Sequence, residues 1–254
     1  MSAEIPHKIE RLRQEPKRRL LTVQTRTRLT PSMLRLTFSS PDLADFSSPS
    51  PDDHIKLFLP DPENPGRQVM RDYTPRAFDA AKKILTIDFA LHDAGPATAW
   101  ALGAKPGDAL EIGGPRGSVA VADDFDFYLL IGDESALPAI GRRIEALRPG
   151  VAVASIVAVD GPEHVQDFAT RADWTPVWVF REGEHACDAT LLRRALAHWQ
   201  APQGDGYVWI AGEARTARIL RDVMIEDRGH PKAWVKASGY WVRGQPGAHE
   251  KFEG

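Results

Sequence analysis

At about Asp123 the chain changes texture, and that change constrains the fold more than any other feature of the sequence. Before it, from Arg18 to about Val121, apolar and polar residues alternate in short runs cut by turns: Leu20 to Thr27, Met33 to Phe38, His54 to Leu59 and Ile84 to Leu91. Such alternation marks half-buried antiparallel strands, and several in close succession make a small barrel. After it come continuous apolar runs at Phe127 to Gly132, Val151 to Val159, Val177 to Phe180 and Tyr207 to Gly212, with Ile140, Ile144 and Leu147 at helical spacing between the first two. Strands buried on both faces read this way, so the second half predicts a doubly wound parallel α/β sheet. The expected domains are residues 17–122, a six-stranded antiparallel β-barrel, and residues 123–244, the α/β half, with a mobile tail from Gln245.

A chain of 254 residues is long enough for two separate cores. Its formal net charge of −3 gives no general pull toward nucleic acid or an anionic membrane, so any basic site must be local. The single cysteine, Cys187, excludes an intrachain disulfide and a four-cysteine metal cage. Met1 to Pro16 carries no apolar run, and no later segment reaches the roughly 18 unbroken apolar residues of a membrane helix. The expectation is a cytoplasmic protein.

Chemistry concentrates at Arg71-Asp72-Tyr73-Thr74-Pro75-Arg76. In a strand, Arg71 and Tyr73 share one face. A guanidinium fork suits the oxygens of a pyrophosphate, and a phenol covers flat cofactor rings. Thr74 adds a hydroxyl, and Pro75 should end the ladder pairing. Downstream, Gly95-Pro96-Ala97-Thr98-Ala99-Trp100 reads as a helix start whose amides at Ala97, Thr98 and Ala99 point outward, a place that attracts anions. In the second half, the turn after Gly132 lacks G-x-G-x-x-G and carries Asp133 and Glu134 before Ser135 and Ala136. Those two acids either cap a helix beginning near Ser135 or border a coenzyme site.

The pieces resemble the ferredoxin reductase-like flavoproteins: Arg71, Tyr73, Thr74 and Arg76 match their flavin signature, and Gly95 to Trp100 match the helix start under the flavin diphosphate. Within that superfamily, HIKLFLP, RDYTPR, GPATAW, GDESALPAI, WIAGEA and GYWVRG together resemble the siderophore-interacting proteins, which are flavin-dependent ferric-siderophore reductases. The resemblance implies FAD held by Arg71, Tyr73, Thr74, Arg76, His92, Gly95, Ala97 and Thr98. It implies NADH or NADPH as co-substrate near Asp133, Glu134, Ser135, Ala136, Gly212 and Glu213, with hydride arriving beside Thr74. A ferric siderophore would be the substrate, its negative charge met by Lys56, Arg116 and Arg243. Two rival readings are a flavin reductase that serves a ferredoxin or another protein partner, and a siderophore carrier that reduces nothing.

Overall fold

The computed structural model describes residues 7–91, 95–181, 189–245 and 247–252. His92 and Cys187 lie outside them. The chain divides into two compact units, one spanning residues 8–121, the other residues 122–254 together with His7.

The first unit contains β1 (Ile9–Arg13), β2 (Arg18–Thr30), β3 (Met33–Ser39), β4 (Ile55–Pro60), β5 (Gln68–Tyr73), β6 (Pro75–Asp79), β7 (Ile84–Ala90), α1 (Pro96–Gly103), β8 (Ala109–Gly113) and β9 (Gly117–Val121). Its main sheet has seven strands in the order β5-β4-β8-β2-β3-β7-β6, and β1 pairs with β9 in a small separate sheet. The expected six strands become seven because the run through Arg76 is two strands broken at Thr74. Pro75 does not end the pairing: it lies opposite Ile87 at the start of the β6–β7 ladder. β5 and β6 are the two ends of the sheet order, yet one residue joins them. Consecutive Cα atoms are only about 3.8 Å apart, so the sheet must curl until its ends meet at Thr74. Alternate residues of these strands, among them Leu21, Val23, Leu36, Phe38, Ile55, Leu57, Leu85, Ile87, Phe89, Leu110 and Ile112, fill the enclosed core. Each large side chain so withdrawn from water contributes about 1.5–3 kcal/mol.

The second unit contains β10 (Phe127–Gly132), α2 (Leu137–Ala146), β11 (Ala152–Val159), β12 (Asp173–Phe180), α3 (Ala189–His198), β13 (Gly206–Glu213), α4 (Ala214–Asp222), β14 (Val235–Trp241) and β15 (Glu250–Lys251). The sheet order is β12-β11-β10-β13-β14-β15, parallel except for β15. The central strands β10 and β13 are buried along their whole length, as their unbroken apolar runs require. Two expectations are corrected. The helix after β10 opens at Leu137, because a turn closed by the Ala136 N–H on Asp133 O occupies the preceding residues. The tail supplies β15, paired with Ser238 and Gly239 of β14. Among the described residues, no helix is long and apolar enough to cross a membrane.

Candidate functional site

In the first unit, β5 carries Arg71, Asp72 and Tyr73, whose faces are fixed by its register with β4. Arg71 lies opposite Leu57 and Tyr73 opposite Ile55, whereas Asp72 lies opposite Lys56. Residues directly opposite share a face, so Arg71 and Tyr73 stand together on the core side and Lys56 on the other. Lys56 Nζ donates to Asp72 Oδ2 at 2.6 Å, which neutralises much of the charge expected to draw an anionic substrate.

Arg71 is half-buried and gives one N–H, from Nη1, to the carbonyl of Met70 at 2.9 Å. The Tyr73 ring sits 4.7 Å from Phe89, whose ring lies 6.1 Å from Trp100 of α1. Phe89 therefore links the end of β5 to α1. Burial pushes the Tyr73 phenol well above its usual range against the opposing pull of Arg71, so it stays protonated and keeps a donor.

Thr74 is buried at the seam, and Arg76 is the extra residue of a bulge between Pro75 and Ala77. A bulge re-aims a side chain. Here it sends the buried Arg76 toward Asp88, with Nε 3.7 Å from Oδ2. Both Asp88 oxygens also accept from Arg35, Nε and Nη2 each at 2.7 Å. Arg76 thus anchors the motif to β7.

α1 begins at Gly95 without a side-chain cap, with Pro96 in its first turn. The Ala99 N–H donates to Gly95 O at 2.9 Å, so Ala99 is not one of the outward amides expected from the sequence. The Ala97 and Thr98 amides precede the first intrahelical bond and have no acceptor within the helix. Beside them the Thr98 Oγ1 is buried and has no hydrogen-bond partner among the described residues. Two amides and an orphaned hydroxyl at a helix start fit the oxygens of a diphosphate, and the Arg71 fork and Tyr73 ring complete a donor set suited to a flavin dinucleotide. The residues present fit FAD.

The glycine-rich bend Gly113 to Gly117 carries Arg116 into solvent. Gly114 has φ +97°, which favours glycine, and its carbonyl accepts from Arg19 Nη1 at 3.1 Å. Arg19 is buried and also holds Asp42 O at 2.9 Å and Asp45 Oδ1 at 2.8 Å. Sequence reading passed over Arg19, because its partners lie far away along the chain.

In the second unit the acidic turn is scaffold. Asp133 Oδ1 accepts from the amide of Ser135 at 2.9 Å and from its hydroxyl. Asp133 Oδ2 accepts from the Glu213 amide at 3.1 Å and Trp241 Nε1 at 2.9 Å. Gly212 has φ +149°, and a Cβ there would lie 2.6 Å from Asp133 Oδ2. Glu213 caps α4, its Oε2 accepting from the Thr216 amide at 2.8 Å. Glu134 receives both Nη atoms of the buried Arg181, with Nη1 2.6 Å from Oε1. Burial lifts the Glu134 carboxyl above its ordinary value despite the arginine. The side chains of Asp133, Glu134 and Glu213 thus hold contacts within the chain. Arg181 is a second residue the sequence did not reveal, 47 positions from its partner. Around these groups Gly132, Ala211, Gly212 and Thr216 line a small crevice at the carboxyl ends of β10 and β13. Arg243 is exposed on the turn after β14.

The family model described as siderophore-interacting protein matches residues 125–244, and that described as siderophore-interacting FAD-binding domain matches residues 22–119. The NADPH-dependent ferric-chelate reductase of Escherichia coli is 34% identical over 258 residues, covering 93% of this chain and 97% of the relative. The ferric vibriobactin reductase ViuB of Vibrio cholerae is 28% identical, covering 89% and 90%. Among solved structures, a siderophore utilization protein from T. fusca superposes with a TM-score of 0.88 at 35% identity, covering 95% of this chain and 98% of that one.

Proposed function

Since the chain belongs to the siderophore-interacting protein family, we propose that it is an FAD-dependent oxidoreductase that uses NADH or NADPH to reduce ferric siderophores and release Fe(II). The observation that carries the reading is the start of α1, where the Thr98 hydroxyl, buried and without a partner among the described residues, lies beside two amides with no intrahelical acceptor. Donors at a helix start of this kind attract an anion.

When bound, FAD supplies the conversion between a two-electron donor and a one-electron acceptor, chemistry that side chains lack. The protein's task is placement. Arg71 and the amides of Ala97 and Thr98 hold the diphosphate, while Tyr73, kept protonated by burial, covers the ring system. Thr74, fixed at the seam of the curled sheet, offers its hydroxyl to the ring's polar edge, and Arg76 positions it through Asp88. The Asp133 hub holds Gly212 and the Trp241 segment in place, leaving backbone groups of the turns after β10 and β13 to meet the coenzyme.

Siderophores grip Fe(III) through hard oxygen ligands, and lowering the metal's charge weakens that grip. The exposed Arg116 and Arg243 draw the anionic complex in, and Lys56 contributes less because Asp72 already pairs with it. The test is anaerobic titration of the purified yellow protein with each coenzyme, followed by a panel of ferric chelates with an Fe(II) trap. Bleaching by coenzyme and reoxidation by the ferric complex are expected. A colourless protein that binds ferric siderophore tightly would make it a carrier.

A further inference from the structure

We propose that Arg35 is a positioning residue for the flavin, an inference that rests on the FAD reading above: by occupying both oxygens of Asp88 it holds Arg76 off that carboxylate and so sets the place of the Thr74 seam. Three neighbouring strands of the first unit, β3, β7 and β6, supply the three side chains. Arg35 lies opposite Asp88 in the β3–β7 ladder, so the two share a face. Arg76 reaches the same carboxylate from the other side, as the extra residue of the bulge between Pro75 and Ala77. The side chains of Asp88 and Arg76 are 2% and 7% exposed, and that of Arg35 is 32% exposed.

The two contacts are unequal. Arg35 lays a two-pronged fork on Asp88, with Nε on Oδ1 and Nη2 on Oδ2, each at 2.7 Å. Arg76 Nε stops 3.7 Å from Oδ2, beyond hydrogen-bond distance. Paired prongs of this kind are the strong geometry for arginine and carboxylate, and a second guanidinium approaching them meets filled acceptor positions and a like charge.

Without Arg35 that balance changes. A buried carboxylate must be compensated, and Arg76 is the cation that remains beside Asp88. Closing to the usual length of a charge-assisted hydrogen bond would bring Arg76 Nε roughly 1 Å nearer. Arg76 stands two residues past Thr74, with Pro75 between them, whose ring fixes its φ and gives the backbone little room to absorb the shift. Displacements of about 1 Å are enough to spoil a contact to a bound ligand, so the Thr74 hydroxyl would leave the ring's polar edge.

The experiment is fluorescence titration of each apoprotein with FAD, with the visible absorption bands of the bound flavin and a thermal melt recorded beside it. Arg35→Met should weaken FAD binding about tenfold and shift the flavin bands. Arg35→Lys, which keeps the charge and loses the fork, should weaken it about threefold. Combining Arg35→Met with Asp88→Asn removes the carboxylate that draws Arg76 in, and should return affinity and bands to within about twofold of the parent, whatever the melting temperature. Should Arg35→Met fail to fold, Arg35→Lys with and without Asp88→Asn carries the same comparison. Parental affinity and bands in the single variants overturn the proposal, as does a double variant no better than the single one. Failure of the FAD reading looks different: the parent itself would bind no FAD, and both claims would fall together.

Discussion

Asp133 Oδ2 accepts the indole N–H of Trp241 at 2.9 Å across 108 residues of chain, and the same carboxylate holds the Glu213 amide and both donors of Ser135. One buried side chain therefore ties together the ends of β10, β13 and β14. Replacing it by alanine strands buried donors, each costing about 1–3 kcal/mol if left unmet. Asp133→Ala should lose on the order of 3–4 kcal/mol in urea unfolding, a size reserved for broken buried networks. A direct ligand of the coenzyme would behave otherwise, raising KM with no change in the unfolding midpoint.

Thr98 gives the opposite pattern. Its hydroxyl is buried and unpartnered among the described residues, so the FAD-free protein gains nothing from it. Thr98→Val keeps the shape and removes the polar atom, and the apoprotein should melt at the same temperature or slightly higher. FAD should bind about tenfold more weakly, the loss of one hydrogen bond to a charged group. Fluorescence titration of apoprotein with FAD, beside a thermal melt, checks both halves. Lower apoprotein stability with unchanged FAD affinity would remove Thr98 from the site.

Much of this arrangement was legible in the sequence because it is local. Period-two alternation marked β2, β3, β4 and β7, unbroken apolar runs marked β10 to β13, and Gly95-Pro96 marked the start of α1. The Arg71 and Tyr73 pairing on one face followed from strand geometry alone and agrees with the register against β4. What stayed hidden depends on contacts between distant positions. Nothing near Arg181 in the sequence signals that Glu134 will fill its fork, and nothing near Arg19 signals that it will hold the Gly114 carbonyl. The break at Thr74 was missed for a related reason: Pro75 reads as an end to pairing, and only the ladder to β7 shows that the chain changes neighbours there and continues as β6.

His7 sets a pH dependence for the second unit. Its ring is nearly enclosed, stacked on Phe125 at 4.1 Å between centroids, with Nδ1 3.0 Å from Asp124 and Nε2 3.0 Å from Asp205. Burial alone would lower its pKa, but hydrogen bonds and charge from Asp205 and Asp124 outweigh that and raise it above 6.5. A group whose folded pKa is raised stabilises fully below its unfolded pKa and loses that contribution as pH rises through the folded value. His7→Gln should therefore cost most at about pH 6 and clearly less at about pH 9, a difference that paired urea titrations will read. An equal cost at both values would reduce the ring to packing against Phe125.

Substrate attraction should follow the exposed cations and not simply the number of basic residues. Arg116 and Arg243 are exposed, whereas Lys56 gives its charge to Asp72 at 2.6 Å. An exposed charge acts over roughly a Debye length, about 8 Å at physiological salt, so its removal weakens capture of an anion in a salt-dependent way. The double variant Arg116→Ala with Arg243→Ala should raise KM for an anionic ferric catecholate about tenfold while FAD content and the rate of flavin reduction by coenzyme hold steady. Raising the ionic strength should shrink the gap between variant and parent. Lys56→Ala should move KM by less than about threefold, since it removes a charge already balanced. Steady-state kinetics with a ferric catecholate and an uncharged ferric chelate side by side decide the matter: equal losses on both substrates would mean that the arginines shape the site instead of drawing the anion to it.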